Sequence, residues 1–170
     1  MSAEPTDAFP KIISTAVREA TSQFFKSSCN LNFVDKPAAP DHLVTSGIMS
    51  NISFLGNPSW AFALVVPNAF AVTIAKAFAG YDIPFDSADM GDVFGEVVNV
   101  IAGDISARLD RKGMKAQMSL PTVIRGDHID LHVPAEVSTS LLSFSGPAGS
   151  CTIKLIEVRG NMVIGRRPGA

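Results

Sequence analysis

Residues 91–121, GDVFGEVVNVIAGDISARLDRKGMKAQMSLP, decide how the chain is to be read. An α-helix turns about 100° per residue, which puts Phe94, Val97, Val98, Ile101, Ile105 and Leu109 in one apolar stripe that must face a core. The opposite face then carries Asp92, Glu96, Asn99, Gly103 and Asp110, with Gly95 and Ser106 at its border. Glu96 and Asn99 are i,i+3 neighbours and point outward together. A glycine inside a helix costs up to about 1 kcal/mol relative to alanine, and asparagine costs a smaller amount. Such violations are expected where function or close backbone approach requires them. A glutamate and an asparagine on an exposed helix face are most often plain solvated surface, and only the helix-weakening residues around them argue for more.

The residue types narrow the chemistry. A primary amide donates and accepts hydrogen bonds at once, so Asn99 is a candidate for holding a water in a fixed orientation. An ionised carboxylate only accepts, which makes Glu96 a candidate for pairing with a cation. No adjacent Ser-His, Cys-His or carboxylate pair accompanies them, so the chain has no self-contained nucleophile and base. A partner would have to supply the electrophile.

Outward from this helix, Ser87 or Asp89 is the expected N-cap, and the helix is expected to end near Gly113. Strands are predicted at Lys115–Ser119, Thr122–Arg125, His128–Val133, Val137–Phe144 and Cys151–Val158, with Gly126-Asp127 and SGPAGS as turns. The alternation of Ile129, Leu131 and Val133 with polar neighbours reads as a strand buried on one face. Upstream, an amphipathic helix is predicted from about Asp7 to Lys26, then a short strand in LNFVDKPAAP ending at Pro37 and Pro40. His42–Leu55 and Trp60–Val66 read as paired strands joined through Gly56, Asn57 and Pro58. Pro67 opens a helix over Asn68–Ala79 that stops at Gly80. The two halves look alike, which is a weak internal repeat. Together these elements predict an α/β fold: a single-domain sandwich over 1–159, long helices on a mostly antiparallel sheet with an internal pseudo-two-fold, and a frayed tail over 160–170.

Composition removes several classes of function. With 46% apolar and 18% charged residues, 170 residues make a compact globular chain rather than a disordered one. The net charge of -2 arises from scattered charges, so no field is built for nucleic acid or an anionic membrane. Cys29 and Cys151 form no metal or disulfide framework and read as buried thiols. The N-terminus lacks signal-peptide features and no apolar run approaches a membrane span, so the expected address is the cytoplasm. His128, Asp130 and His132 would share a strand face that a metal can use, but as solvent-facing residues they are not assigned as ligands, and no metal site is expected. Arg108, Arg111, Lys112 and Lys115 suit a helix C-terminus, with a secondary part in partner docking as the alternative. Trp60 and the phenylalanines are expected in the core.

Asp92-x-x-x-Glu96-x-x-Asn99 with Pro121 downstream resembles the signature of the CheC, CheX and FliY family of bacterial chemotaxis phosphatases, and CheX above all. The likeness is densest over Gly95–Gly126, where the E-x-x-N, Ala102-Gly103, Leu109, Gly113 and Pro121 to Val123 fall at CheX-like spacing. The resemblance implies an enzyme that hydrolyses the aspartyl phosphate of a CheY-like receiver domain. The receiver would contribute Mg2+, and this chain would bind no cofactor of its own. Glu96 would engage a receiver lysine, Asn99 would orient the attacking water, and Asp92, Gly95 and Gly103 would border the partner, with Pro121 as a structural element. A second E-x-x-N belongs to two-site relatives. Here its place is taken by Glu19-Ala20-Thr21-Ser22, so that site is expected to be inactive. The resemblance also implies a homodimer. The competing expectation is a non-catalytic module that binds receivers or assembles like a flagellar-switch component.

Overall fold

The computed structural model describes residues 9–36 and 46–158. The chain runs α1 (Lys11–Ser28), β1 (Val34–Lys36), β2 (Ser46–Gly56), β3 (Ser59–Pro67), α2 (Asn68–Ala79), α3 (Ala88–Asp110), β4 (Ala116–Met118), β5 (Thr122–Asp127), β6 (Thr139–Gly146) and β7 (Gly149–Val158). All strand pairs are antiparallel, in the order β1-β6-β7-β3-β2-β4, with β5 also pairing along β2.

That order is close to a palindrome. The inner strands β3 and β7 of the two hairpins pair at the centre, from Ser59↔Val158 to Val65↔Thr152. Each hairpin is then flanked by strands from the other half of the chain: β1 joins β6, whereas β4 and β5 join β2. The expected pseudo-two-fold is therefore present, with the halves interlocked through the sheet. At Gly56 a Cβ would lie 2.6 Å from the Lys115 carbonyl oxygen, so the approach of the chain entering β4 to the end of β2 requires glycine there.

The helices cover one face. Ile48, Ile52 and Phe54 of β2, Trp60, Phe62, Leu64 and Val66 of β3, and Cys151, Ile153 and Leu155 of β7 alternate into it, and all are buried. They join the helix residues in one hydrophobic cluster. Trp60 stacks on Phe54 with ring centroids 4.1 Å apart and meets Phe9 edge-on at 6.2 Å. The single tryptophan and the phenylalanines named here are core residues, as expected.

Local signals explain most boundaries. Pro67 precedes α2, and Gly80, at φ 85, closes it with its amide donating to the Lys76 carbonyl. Ser87 caps α3, its hydroxyl accepting from the Met90 amide. Near the other end of α3 the chain turns at Gly113, φ 79. The first helix begins at Lys11, after Pro10, so its expected start at Asp7 lies outside the described residues, and it runs on to Ser28 rather than Lys26. Residues 37–45, which include Pro37, Pro40 and the expected strand start at His42, and the tail from 159 also lie outside the described residues.

Two expectations are corrected. Gly126 and Asp127 are not a turn; they pair with Gly47 and Ser46, because β2 is long enough to carry β5 through them. The chain reverses at His128, φ 53. His128–Val133 is not a strand. The connection from β5 to β6 has to pass β2, β3 and β7 to reach its place in the sheet, so it leaves the ladder and runs over the face away from the helices. Lys154, which points to that face, donates from Nζ to the Leu131 carbonyl at 3.0 Å. The alternation read from sequence survives as burial, with Ile129, Leu131 and Val133 half-buried and His128, Asp130 and His132 exposed, but without a partner strand.

Candidate functional site

The helix α3 carries the candidate site, and its stripe behaves as its spacing requires. Phe94, Val97, Val98, Ile101, Ile105 and Leu109 are fully buried. Rotation then fixes the other face: Asp92, Glu96 and Asn99 are exposed, Gly95, Gly103 and Ser106 half-buried, and Asp110 exposed.

Arg125 of β5 holds the start of this helix. Its Nη1 donates to the carbonyls of Phe85 at 2.8 Å and of Ser87 at 2.5 Å, while its guanidinium lies 5.9 Å from the Phe85 ring centre. Anchored at Ser87 and packed along its length, α3 presents Glu96 and Asn99 from a rigid element rather than a loop.

The polar groups of α3 divide into two sets. Toward the C-terminal end they are engaged: Arg108 donates from Nε to Asp104 at 3.0 Å and from Nη1 to Glu19 of α1 at 2.6 Å, and Asp110 faces Lys115 at 4.0 Å. Toward the N-terminal end, the side chains of Asp92, Glu96 and Asn99 have no hydrogen-bond or ion-pair partner among the described residues. Their bonding capacity faces outward. Arg108 is thus committed within the molecule, and of the basic cluster only Arg111, Lys112 and Lys115 stay on exposed surface.

Among the described residues nothing gives the two mid-helix glycines a steric cause. A Cβ at Gly103 would meet nothing within 4 Å, and one at Gly95 would make only ordinary contact, 3.8 Å from Pro121 and 3.9 Å from Val123. Alanine would fit at both. Pro121 packs beside Gly95 and so defines one bank of the exposed face.

The residues at the corresponding place on α1 are engaged differently. Glu19 is held by Arg108, Thr21 is buried, and Ser22 is half-buried. Beside this pair an open groove of about 440 Å3 runs between α1 and α3, lined by Lys11, Glu19, Arg108 and Lys112 among others. It lies toward the far end of α3 from Glu96 and Asn99. Among the described residues no group of three or more His, Cys, Asp or Glu side chains is placed to hold a metal, and no helix is long and apolar enough to cross a membrane. Both cysteines are buried; desolvation pushes Cys29 up to about 11 and Cys151 further in the same direction, so neither thiol is poised as a nucleophile.

Sequence reasoning missed three features. The Arg108–Glu19 bridge and the Arg125 clamp join residues far apart in the chain, and no local signal announces them. Leu120, immediately before Pro121, is 89% exposed; an isolated leucine in a turn gives no periodic cue.

A family profile described as "Chemotaxis phosphatase CheX" matches residues 48–145, more than half of the chain and the whole of the α3 face. The chain belongs to the CheX family. Solved structures agree on the fold. A CheX from Desulfovibrio desulfuricans aligns with a TM-score of 0.75 at 21% identity, covering 86% of this chain and 99% of that one. A CheC-like superfamily protein from a Shewanella species aligns at 0.79 and 14% identity, over 89% and 100%. The CheX of a CheX–CheY–BeF3–Mg2+ complex from Borrelia burgdorferi aligns at 0.73 and 16% identity, over 86% and 98%. At these identities the neighbours speak for the fold alone. No curated protein sequence matches the chain significantly. The CheX family is one of chemotaxis phosphatases, and α3 of this member carries the E-x-x-N on its outward face.

Proposed function

We propose that this CheX-family protein accelerates hydrolysis of the aspartyl phosphate on a CheY-like receiver domain, using Glu96 and Asn99 of α3. The observation that carries the reading is the contrast along α3: among the described residues, Asp92, Glu96 and Asn99 are exposed with no partner, beside glycines that no packing contact requires. A helix ridge is convex, so the concave half of the site belongs to the partner, and the substrate is a macromolecule. The Borrelia relative, solved with CheY, BeF3 and Mg2+, supports a receiver as that partner.

Glu96 pairs with a receiver lysine and fixes the register of docking. Asn99 accepts one hydrogen bond from a water and donates another to the phosphoryl region, holding the water in line with the phosphorus. Attack forms the water–phosphorus bond and breaks the bond from phosphorus to the aspartyl oxygen. Inorganic phosphate leaves, taking up the water's proton, and the receiver regains a free carboxylate. Mg2+ held by the receiver neutralises charge on the phosphoryl oxygens. Asp92 sits one turn before Glu96 and adds to the negative field that a basic receiver surface meets. Gly95 and Gly103 let the helix backbone come close.

The protein works as a homodimer in the cytoplasm, where receivers are phosphorylated. The alternative, a receiver-binding or switch-like module without catalysis, keeps docking and loses turnover. The test is the decay of a phosphorylated CheY-like receiver in Mg2+ with and without this protein. Faster decay supports the enzyme; binding with unchanged decay supports the module, and neither binding nor acceleration removes the receiver from the account.

A further inference from the structure

The corner between β4 and β5 exposes a leucine at the edge of the α3 face. Leu120 has 89% of its surface in solvent, more than any other large apolar residue described. Single exposed leucines are ordinary, but this one is held rather than loose. The Ser119 amide donates to the Ser53 carbonyl at 2.9 Å, and the Ser53 amide donates to Ser119 Oγ at 3.0 Å. Ser119 Oγ in turn donates to the carbonyl of Leu120 itself at 2.9 Å. On the other side, Pro121 restricts Leu120 to extended geometry and packs beside Gly95 of α3.

We infer that Leu120 is an apolar contact of receiver docking, buried by the receiver body that seats over Glu96 and Asn99; this rests on the reading of α3 as the receiver-binding face. Continuity argues for that occupant. The corner touches α3 at Gly95, one turn before Asn99, so a body seated over Glu96 and Asn99 meets this bank of the face. A leucine whose backbone is already fixed loses little further freedom on binding, so more of its burial counts toward affinity. Glu96 and Asp92 supply charge complementarity, which is screened by salt; Leu120 supplies the part that is not.

The experiment compares wild type, Leu120→Asn and Leu120→Met in saturation kinetics of phosphorylated-receiver hydrolysis, at low and high salt. Leu120→Asn is expected to raise KM about tenfold with kcat unchanged. Leu120→Met is expected to restore it, and the defect is expected to persist at high salt, while the effect of Glu96→Gln shrinks. Because the side chain is solvated, thermal unfolding of Leu120→Asn should match wild type. An unchanged KM in Leu120→Asn, with the wild type active, overturns the docking contact and leaves the phosphatase reading standing. A wild type without activity overturns that reading instead. If Leu120→Asn changes the sedimentation behaviour of the free protein, the leucine meets a second copy of this chain, and the receiver contact is again overturned.

Discussion

Gly103→Ala should make the protein more stable and a poorer phosphatase. Gly103 lies inside α3 with helical backbone, four residues after Asn99, and a Cβ added there would meet nothing within 4 Å among the described residues. The steric term is therefore absent, and the intrinsic preference of a helix interior for alanine over glycine, about 0.8–1.0 kcal/mol, should appear nearly whole. For a domain of this size that corresponds to a rise in melting temperature of roughly 2–4 °C. The same methyl stands on the face that a receiver must approach, so the rate of receiver dephosphorylation at subsaturating concentration should fall. Thermal or urea unfolding measures the first effect, and decay of a phosphorylated receiver measures the second. A variant that is more stable and equally active would refute the docking role of this face. A variant that is less stable would refute the claim that intramolecular packing leaves Gly103 free.

Arg108→Met should lower stability by about 1 kcal/mol, because it removes the bridge from Asp104 across to Glu19 that ties α3 to α1, in a partly solvated pair where the effect is modest and reduced by salt; an unchanged unfolding midpoint would contradict this. The Cys29 thiol, its pKa raised to about 11 by burial, should resist thiol reagents in the native protein near pH 8 and react freely in urea; rapid native labelling would contradict it. Since its folded-state pKa lies above the ordinary value of 9.0, the stability linked to this group is complete below about pH 9 and is lost as pH rises toward 11. A pH titration of the unfolding midpoint checks the sign, and a rise over that window would contradict it.

Much of this fold could be read from local pattern. The α3 stripe is buried residue for residue, and Pro67, Gly80 and Ser87 act as the boundaries their chemistry suggests. Local pattern failed where neighbours are chosen rather than faces. Alternation tells which side of a strand is buried, not which strand lies next to it, so the exchange that puts β1 beside β6 and β4 beside β2 was not visible. The same limit explains residues 128–133: they alternate in burial because they cross over a sheet, not because they belong to it. The outward placement of Glu96 and Asn99 was legible from helix geometry. Their freedom from partners was not, since which side chains from other elements reach a helix face is set by the tertiary fold, as the Arg108–Glu19 bridge across to α1 shows for the other end of α3.

The central claim is that Asn99 acts on the water and Glu96 on the complex. The direct measurement is the single-turnover decay of a phosphorylated CheY-like receiver, followed against increasing concentrations of wild type and Asn99→Ala in Mg2+. The expected result is saturable acceleration by wild type, and for Asn99→Ala a half-saturation close to wild type with a maximal rate near that of the receiver alone. An Asn99→Ala protein that reaches the wild-type maximal rate would contradict the account.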